Sequence, residues 1–333
     1  MREEMMKRIR VILYIALFFK SISATAGESA LKKVSLIPQW VPQAQFAGYY
    51  VAYELGIYKK YGIDLTIIPG GSDRPSSDFL EAQKADFATM WLSAAIQRKA
   101  HGVKLVNIAQ IIQRSALILV AKKSSGIRTP EDVNYKKVGL WGADFQLQPR
   151  AFFKKHNLNV NIIPQSQSVN LFLRDGVDVV SAMWYNEYHI ILNSGLNPDE
   201  LTAFFFHEHG LNFPEDGIYT LEDTFKKDPD IPCAFVKASI EGWKYAFAHP
   251  EEALDIIIKY MEEAHVPANR VHQKWMLDRM MDLILPQDSQ IPIGTLLPAD
   301  YERVAEALKT NGLIEEIPDY KSFYIKCNSN DEK

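Results

Sequence analysis

From residue 34 onward, short apolar runs alternate with stretches whose apolar positions recur every three to four residues. The run 34–38 reads as a strand. A helix is predicted over 46–60, with Phe46, Tyr50, Val51, Leu55 and Tyr58 on one broad face and Gly62 as its stop. Strands are then predicted at 63–68 and 86–90, a helix at 92–100, and apolar runs at 103–112 and 116–121. A second cycle follows: strands at 137–141, 160–163, 177–183 and 201–206, with helices at 147–156, 169–174 and 186–194 between them. Such alternation predicts mostly parallel sheets with helices on both faces, twice over. After Tyr219 only helical spacing remains, as in Val236, Ile240, Trp243 and Phe247, or Met276, Met280 and Ile284. The pattern predicts an α/β fold of two lobes with C-terminal helices: one lobe over 34–121 and 214–325, and an inserted lobe over 122–213. A cleft is expected between them, at the carboxyl ends of the strands.

Residues 1–26 stand apart. Lys7, Arg8 and Arg10 precede an apolar run, Val11 to Phe19, and Ala24-Thr25-Ala26 offers a small-x-small exit. A cationic start, a short apolar core and a small-residue exit describe a cleavable secretory signal. The run is about half of the ~20 residues that a bilayer core requires. A periplasmic location follows as the expectation. With 333 residues, 47% hydrophobic and 23% charged, the chain can build a sizeable core. A net charge of −4, without a block of like charge, gives no electrostatic case for nucleic acid. Of the two cysteines, Cys233 is expected to be buried and Cys327 exposed in a polar tail, with nothing in the spacing to say whether they meet.

No motif for a nucleophile, a phosphate loop, a dinucleotide or a zinc protease is present. His207-Glu208-His209 would direct both imidazoles one way in an extended segment, but reads better as a polar interlobe hinge than as a metal site. Aromatic and polar residues instead cluster just after predicted strands. Trp40 and Gln43 follow the first, Trp91 the third, Trp141, Gly142 and Asp144 the first of the second cycle, and Trp184, Tyr185, Asn186 and Glu187 the strand at 177–183. Aromatic faces with a few amides and carboxylates suit a flat, nitrogen-bearing ring. Arg150 is the one arginine near these loops, so a strongly anionic ligand is not expected. Neither a cofactor nor a metal is expected.

The strings Gln39-Trp40-x-Pro42, Ala47-Gly48-Tyr49-Tyr50-x-Ala52, Gly56-Ile57-Tyr58-x-x-Tyr61-Gly62-Ile63-Asp64-Leu65, Pro69-Gly70-Gly71, Ala85-Asp86-Phe87 and Trp184-Tyr185-Asn186-Glu187 resemble the thiamine pyrimidine synthase-like (NMT1/THI5-like) family of importer solute-binding proteins. The resemblance spans about 34–247 and implies a type II periplasmic-binding fold. It implies a monomer that closes on an aminopyrimidine precursor of thiamine, riboflavin or, in distant branches, an alkanesulfonate, and delivers it to an ABC transporter permease. Trp40 then resembles the stacking tryptophan, Glu187 the acid that meets the ring's amine, and the loop at Gly142 the opposite wall. Tyr49 falls in the same motif and joins the ligand-binding set. One branch of the family is enzymatic and uses a lysine, a histidine and a cysteine-rich segment. Met90 and Ala95 stand at the lysine and histidine positions, and 213–219 contains no cysteine, so that chemistry lacks its reactants here. A sensing role for a membrane partner would use the same fold and site.

Overall fold

The computed structural model describes residues 30–327; the leader assigned to 1–26 lies outside the described residues. Among the described residues, ten strands form two five-stranded sheets. The first sheet contains β1 (Lys32–Ile37), β2 (Ile63–Ile67), β3 (Phe87–Trp91) and β4 (Leu105–Gln110), closed by β10 (Asp216–Leu221), in the order β2-β1-β3-β10-β4. The second contains β5 (Leu117–Lys122), β6 (Lys137–Leu140), β7 (Asn161–Pro164), β8 (Val179–Met183) and β9 (Leu201–Phe205), in the order β7-β6-β8-β5-β9. Both sheets are mixed. β10 runs antiparallel to β3 and β4, and β5 antiparallel to β8 and β9.

Three expectations change. β5 belongs to the second sheet, paired on both sides, although the sequence reading closed the first lobe at residue 121. Its buried apolar run carries no sign of which sheet it joins, so the crossings fall at 111–116 and 206–215. β10 falls mostly in 214–219, where the sequence reading assigned no element, and only its end reaches the helical pattern expected after Tyr219. The predicted helix over 46–60 breaks at Gly56, whose φ of +69° is left-handed, leaving Ala47–Glu54 and Ile57–Lys60.

The helices Asp230–Ala248, Pro250–Glu263, Arg270–Ile284 and Pro298–Thr310 follow the pattern read from the sequence. Asp230–Ala248 crosses Ala47–Glu54 where two glycines meet. A Cβ on Gly48 would stand 2.3 Å from the Trp243 ring, and one on Gly242 would stand 2.2 Å from the Gly48 carbonyl. The glycine of the Ala47-Gly48-Tyr49 string is therefore a packing requirement. Cys233 and Cys327 are disulfide-bonded, with Cα atoms 5.1 Å apart, and both are half-buried rather than one buried and one exposed. A bridge over 94 positions restricts the unfolded chain by about 4.7 kcal/mol on the chain-entropy account. Among the described residues no helix is long and apolar enough to cross a membrane.

Candidate functional site

The parallel strands β1, β3, β6 and β8 place their carboxyl ends, and β5 and β10 their starts, at the edges joined by the two crossings. On the first sheet, Trp91 ends β3 directly opposite Asp216, which begins β10. Asp216 is 3% exposed and both of its oxygens are occupied: Gln39 Nε2 donates to Oδ1, and Gln45 Nε2 to Oδ2 at 3.0 Å. Gln43 donates to Gln45 Oε1 at 2.7 Å. The loop carrying Trp40 is held from below by Gly70, where a Cβ would stand 2.0 Å from the Pro38 carbonyl and 2.8 Å from that of Trp40. That explains the glycine of Pro69-Gly70-Gly71: any side chain would push the tryptophan loop away. Tyr49 lies behind this wall, 2% exposed, its ring edge-on to Trp243 at 5.9 Å.

On the second sheet, Tyr185 and Glu187 are 4% and 7% exposed. Glu187 serves its own loop: Oε2 accepts from Met183 N at 3.0 Å and Oε1 from Asn186 Nδ2 at 2.8 Å. Trp141 donates its indole N–H to Ser166 O at 2.9 Å and sets its ring against Phe145. Phe145 also meets Trp91 edge-on, with centroids 4.7 Å apart, so one phenyl ring joins the two lobes. Gly142 is exposed, and a Cβ on it would meet nothing within 4 Å. The side chain of Asp144 lies outside the described residues.

Trp184 departs from the expected arrangement. Its ring packs edge-on to Phe205 at 5.3 Å and under the Arg279 guanidinium at 4.8 Å, while its carbonyl accepts from Trp275 Nε1 at 3.1 Å. The Arg279 contact and the Trp275 bond turn this residue to the helix Arg270–Ile284, while Tyr185 is buried. The same helix reaches both lobes. Gln273 Oε1 accepts from Ala44 N at 2.8 Å, and His272 Nε2 bonds Asn186 Oδ1 at 2.9 Å. His272 Nδ1 also stands 2.9 Å from His189 Nδ1, so one ring must donate and the other accept.

The electrostatics are one-sided. Burial pushes Glu187 and Asp216 up to about 7, and burial together with neighbouring Asp216 pushes Glu215 up to about 8. The Tyr185 hydroxyl rises well above its usual value, first through burial and then through Glu215, Asp216 and Glu187. The charge of three carboxyl groups thus acts on one phenol, and among the described residues none of the three forms an ion pair. Phe145, Gln39, Gln45, Glu215 and Asp216 escaped the sequence reading. The adjacent acids in 213–219 were the available signal, in a segment read only for missing cysteines.

Several expected features lie elsewhere. Arg150 donates to Gln146, one turn back on its own segment. His207-Glu208-His209 forms a short 3-10 turn, Phe206–His209, and His209 packs edge-on to Phe152 at 5.0 Å. Among the described residues no three metal-ligating side chains converge. Two depressions of about 230 and 300 Å³ lie beside β2, one lined by Tyr53 and Tyr58 and the other by Tyr50, Tyr260, Pro42 and Pro69, the two prolines flanking the Trp40 loop and Gly70.

The NMT1/THI5-like family model matches residues 43–253. A 4-amino-5-hydroxymethyl-2-methylpyrimidine phosphate synthase of Legionella pneumophila is 28% identical over 90% of this chain and 93% of its own. The formylaminopyrimidine-binding protein of Halalkalibacterium halodurans is 20% identical, covering 93% and 96%. Among solved structures, the periplasmic aliphatic sulphonate-binding protein SsuA of Escherichia coli superposes with a TM-score of 0.68 at 15% identity, over 90% of this chain and 94% of that one. The two-lobed architecture is therefore the periplasmic-binding fold.

Proposed function

The chain belongs to the NMT1/THI5-like family, and from that premise we propose that it is the solute-binding component of an ABC importer, closing two lobes on an amine-bearing aromatic N-heterocycle of the thiamine-pyrimidine type. The observation that carries this reading is the pair of facing edges: aromatic rings Trp40 and Trp91 with the amide-held Asp216 on one side, Tyr185 and Glu187 on the other, and Phe145 between lobes. Rings supply stacking, and buried acids select hydrogen-bond donors. The same acids, raised by burial and without an ion-pair partner among the described residues, disfavour an anionic sulfonate. Export is supported by the leader pattern and by the Cys233–Cys327 bridge, which suits an oxidising compartment.

Synthase chemistry is disfavoured on the residues themselves. Met90 and Ala95 are buried, at 3% and 0% exposure, in one apolar cluster, and neither carries an amine or an imidazole. The test is calorimetric titration of the purified chain with 4-amino-5-hydroxymethyl-2-methylpyrimidine, riboflavin and an alkanesulfonate. The aminopyrimidine is expected to bind at micromolar affinity or tighter, about 8 kcal/mol. Trp40→Ala is expected to weaken it at least tenfold without lowering the melting midpoint of the free protein. Binding of the sulfonate alone would reject the reading.

A further inference from the structure

Glu215 sits on the second crossing, one residue before β10 and 1% exposed. One oxygen is fully engaged: Oε1 accepts from Ala116 N at 2.6 Å and Leu117 N at 3.1 Å, with Ser115 Oγ at 3.3 Å. These three donors belong to the first crossing and the start of β5. The same two strands of chain are tied again by Asn212, whose Oδ1 accepts from Ser115 N at 3.1 Å and whose Nδ2 donates to Gln113 O at 3.0 Å. Lobe rotation must pass through this knot, because the chain crosses between the sheets there and in the segment that Glu215 ends.

The other oxygen has nothing. Oε2 is buried and makes no hydrogen bond with any described residue. A buried carboxyl oxygen without a donor is costly, and proteins seldom retain one without a use. The neighbours cannot supply the donor. Asp216 is itself an acid whose oxygens are taken by Gln39 and Gln45, and among the described residues no lysine or arginine forms an ion pair with either acid. Glu215 directly precedes Asp216, the partner of Trp91, and its Oε1 is bonded to the start of β5, so the carboxyl stands where the edges of the two sheets meet.

We infer that Glu215 is a ligand-specificity residue that also couples binding to the hinge: Oε2 accepts an N–H of the bound heterocycle while Oε1 stays on Ala116 and Leu117. This rests on the heterocycle-binding reading given above. The ligand class is thereby narrowed to rings presenting an exocyclic amine or a protonated ring nitrogen toward the crossings. A site built to receive such a donor rejects an analogue without it more sharply than an apolar pocket rejects a missing methylene.

The experiment is calorimetric titration of the full mature chain at pH 9, where the Glu215 carboxyl is ionised and Oε2 is an acceptor, with two probes, 4-amino-5-hydroxymethyl-2-methylpyrimidine and the same ring lacking its 4-amino group. In the wild-type protein the amino probe is expected to bind at least tenfold more tightly. Glu215→Gln keeps an amide oxygen for Ala116 and Leu117 but turns an N–H₂ toward the ligand. It is expected to melt no lower than the wild type, to lose at least tenfold in affinity for the amino probe, and to discriminate little between the two. Equal affinities of wild type and Glu215→Gln for the amino probe would overturn the inference and leave the binding reading standing. Should the variant fail to fold, equal affinities of the wild type for the two probes would overturn it by themselves. No binding of either probe to the wild type would remove the reading on which it rests.

Discussion

Glu187 follows β8 of the second sheet and Glu215 ends the second crossing, just before β10 of the first; both influence the same tyrosine, yet they are held in different ways. Glu187 opens a helix, Glu187–Asn193, and both oxygens are occupied by donors within four residues of it. Glu215 stands on a crossing, where one oxygen receives the backbone of a segment about a hundred positions away and the other receives nothing. The first carboxylate shapes its own loop, and through Asn186 it steadies the contact to His272. The second links two segments that must move together and keeps an acceptor in reserve. Sequence position beside aromatic residues is thus a weaker guide to a recognition role than the state of each oxygen.

The largest effect that sharpens this contrast is on pH. Both acids are raised in the folded chain, Glu215 to about 8 and Glu187 to about 7, so the native state binds protons more tightly than the unfolded one. Their contribution is full below the ordinary carboxyl range and is lost as pH rises through 7 and 8. With Asp216 included, the ligand-free protein is expected to lose several kcal/mol between pH 5 and 8.5, each pKa unit being about 1.4 kcal/mol. Thermal melts across that range measure it. Glu187→Gln should remove the part of the fall that ends near pH 7, and Glu215→Gln the part that ends near pH 8; a flat wild-type profile would break the comparison.

A smaller effect is on stability at fixed pH. Glu187→Ala strands the Met183 N–H and the Asn186 amide in a buried loop and is expected to lower unfolding free energy by about 2–3 kcal/mol in urea, with Glu187→Gln restoring most of it. If Glu187→Ala abolished binding yet left the urea midpoint unchanged, the two acids would exchange roles. Smallest is His272→Ala, which removes the bonds to Asn186 and His189 from the helix that spans both lobes. A loss of about 1 kcal/mol is expected in the same assay.

Much of the frame was legible because it depends on short-range periodicity. The helix at 92–100 was read to the residue, and the strands of both cycles to within two or three. β5 was legible as the apolar run 116–121 but placed in the wrong lobe, and β10 was not read at all, since a strand's partner depends on where the chain returns and an apolar run such as Leu117–Lys122 fits either sheet. Among candidate site residues, the structure brings Trp40, Trp91, Tyr185 and Glu187 to the facing edges, whereas it turns Trp184 toward Arg279. Phe145 escaped because nothing local distinguishes a phenyl ring that bridges lobes from one that fills a core.

The sequence alone determined the alternation of strands and helices, the glycine-bearing strings around Trp40 and the family they resemble, because each of these is written in neighbouring residues. Only the tertiary structure decided that Gly48 and Gly242 meet, that Cys233 reaches Cys327, and that Glu215 stretches between the crossings with one oxygen free. Those are relations between segments far apart in the chain. Their energies come from close contact and from burial, and neither exists until the sheets have formed.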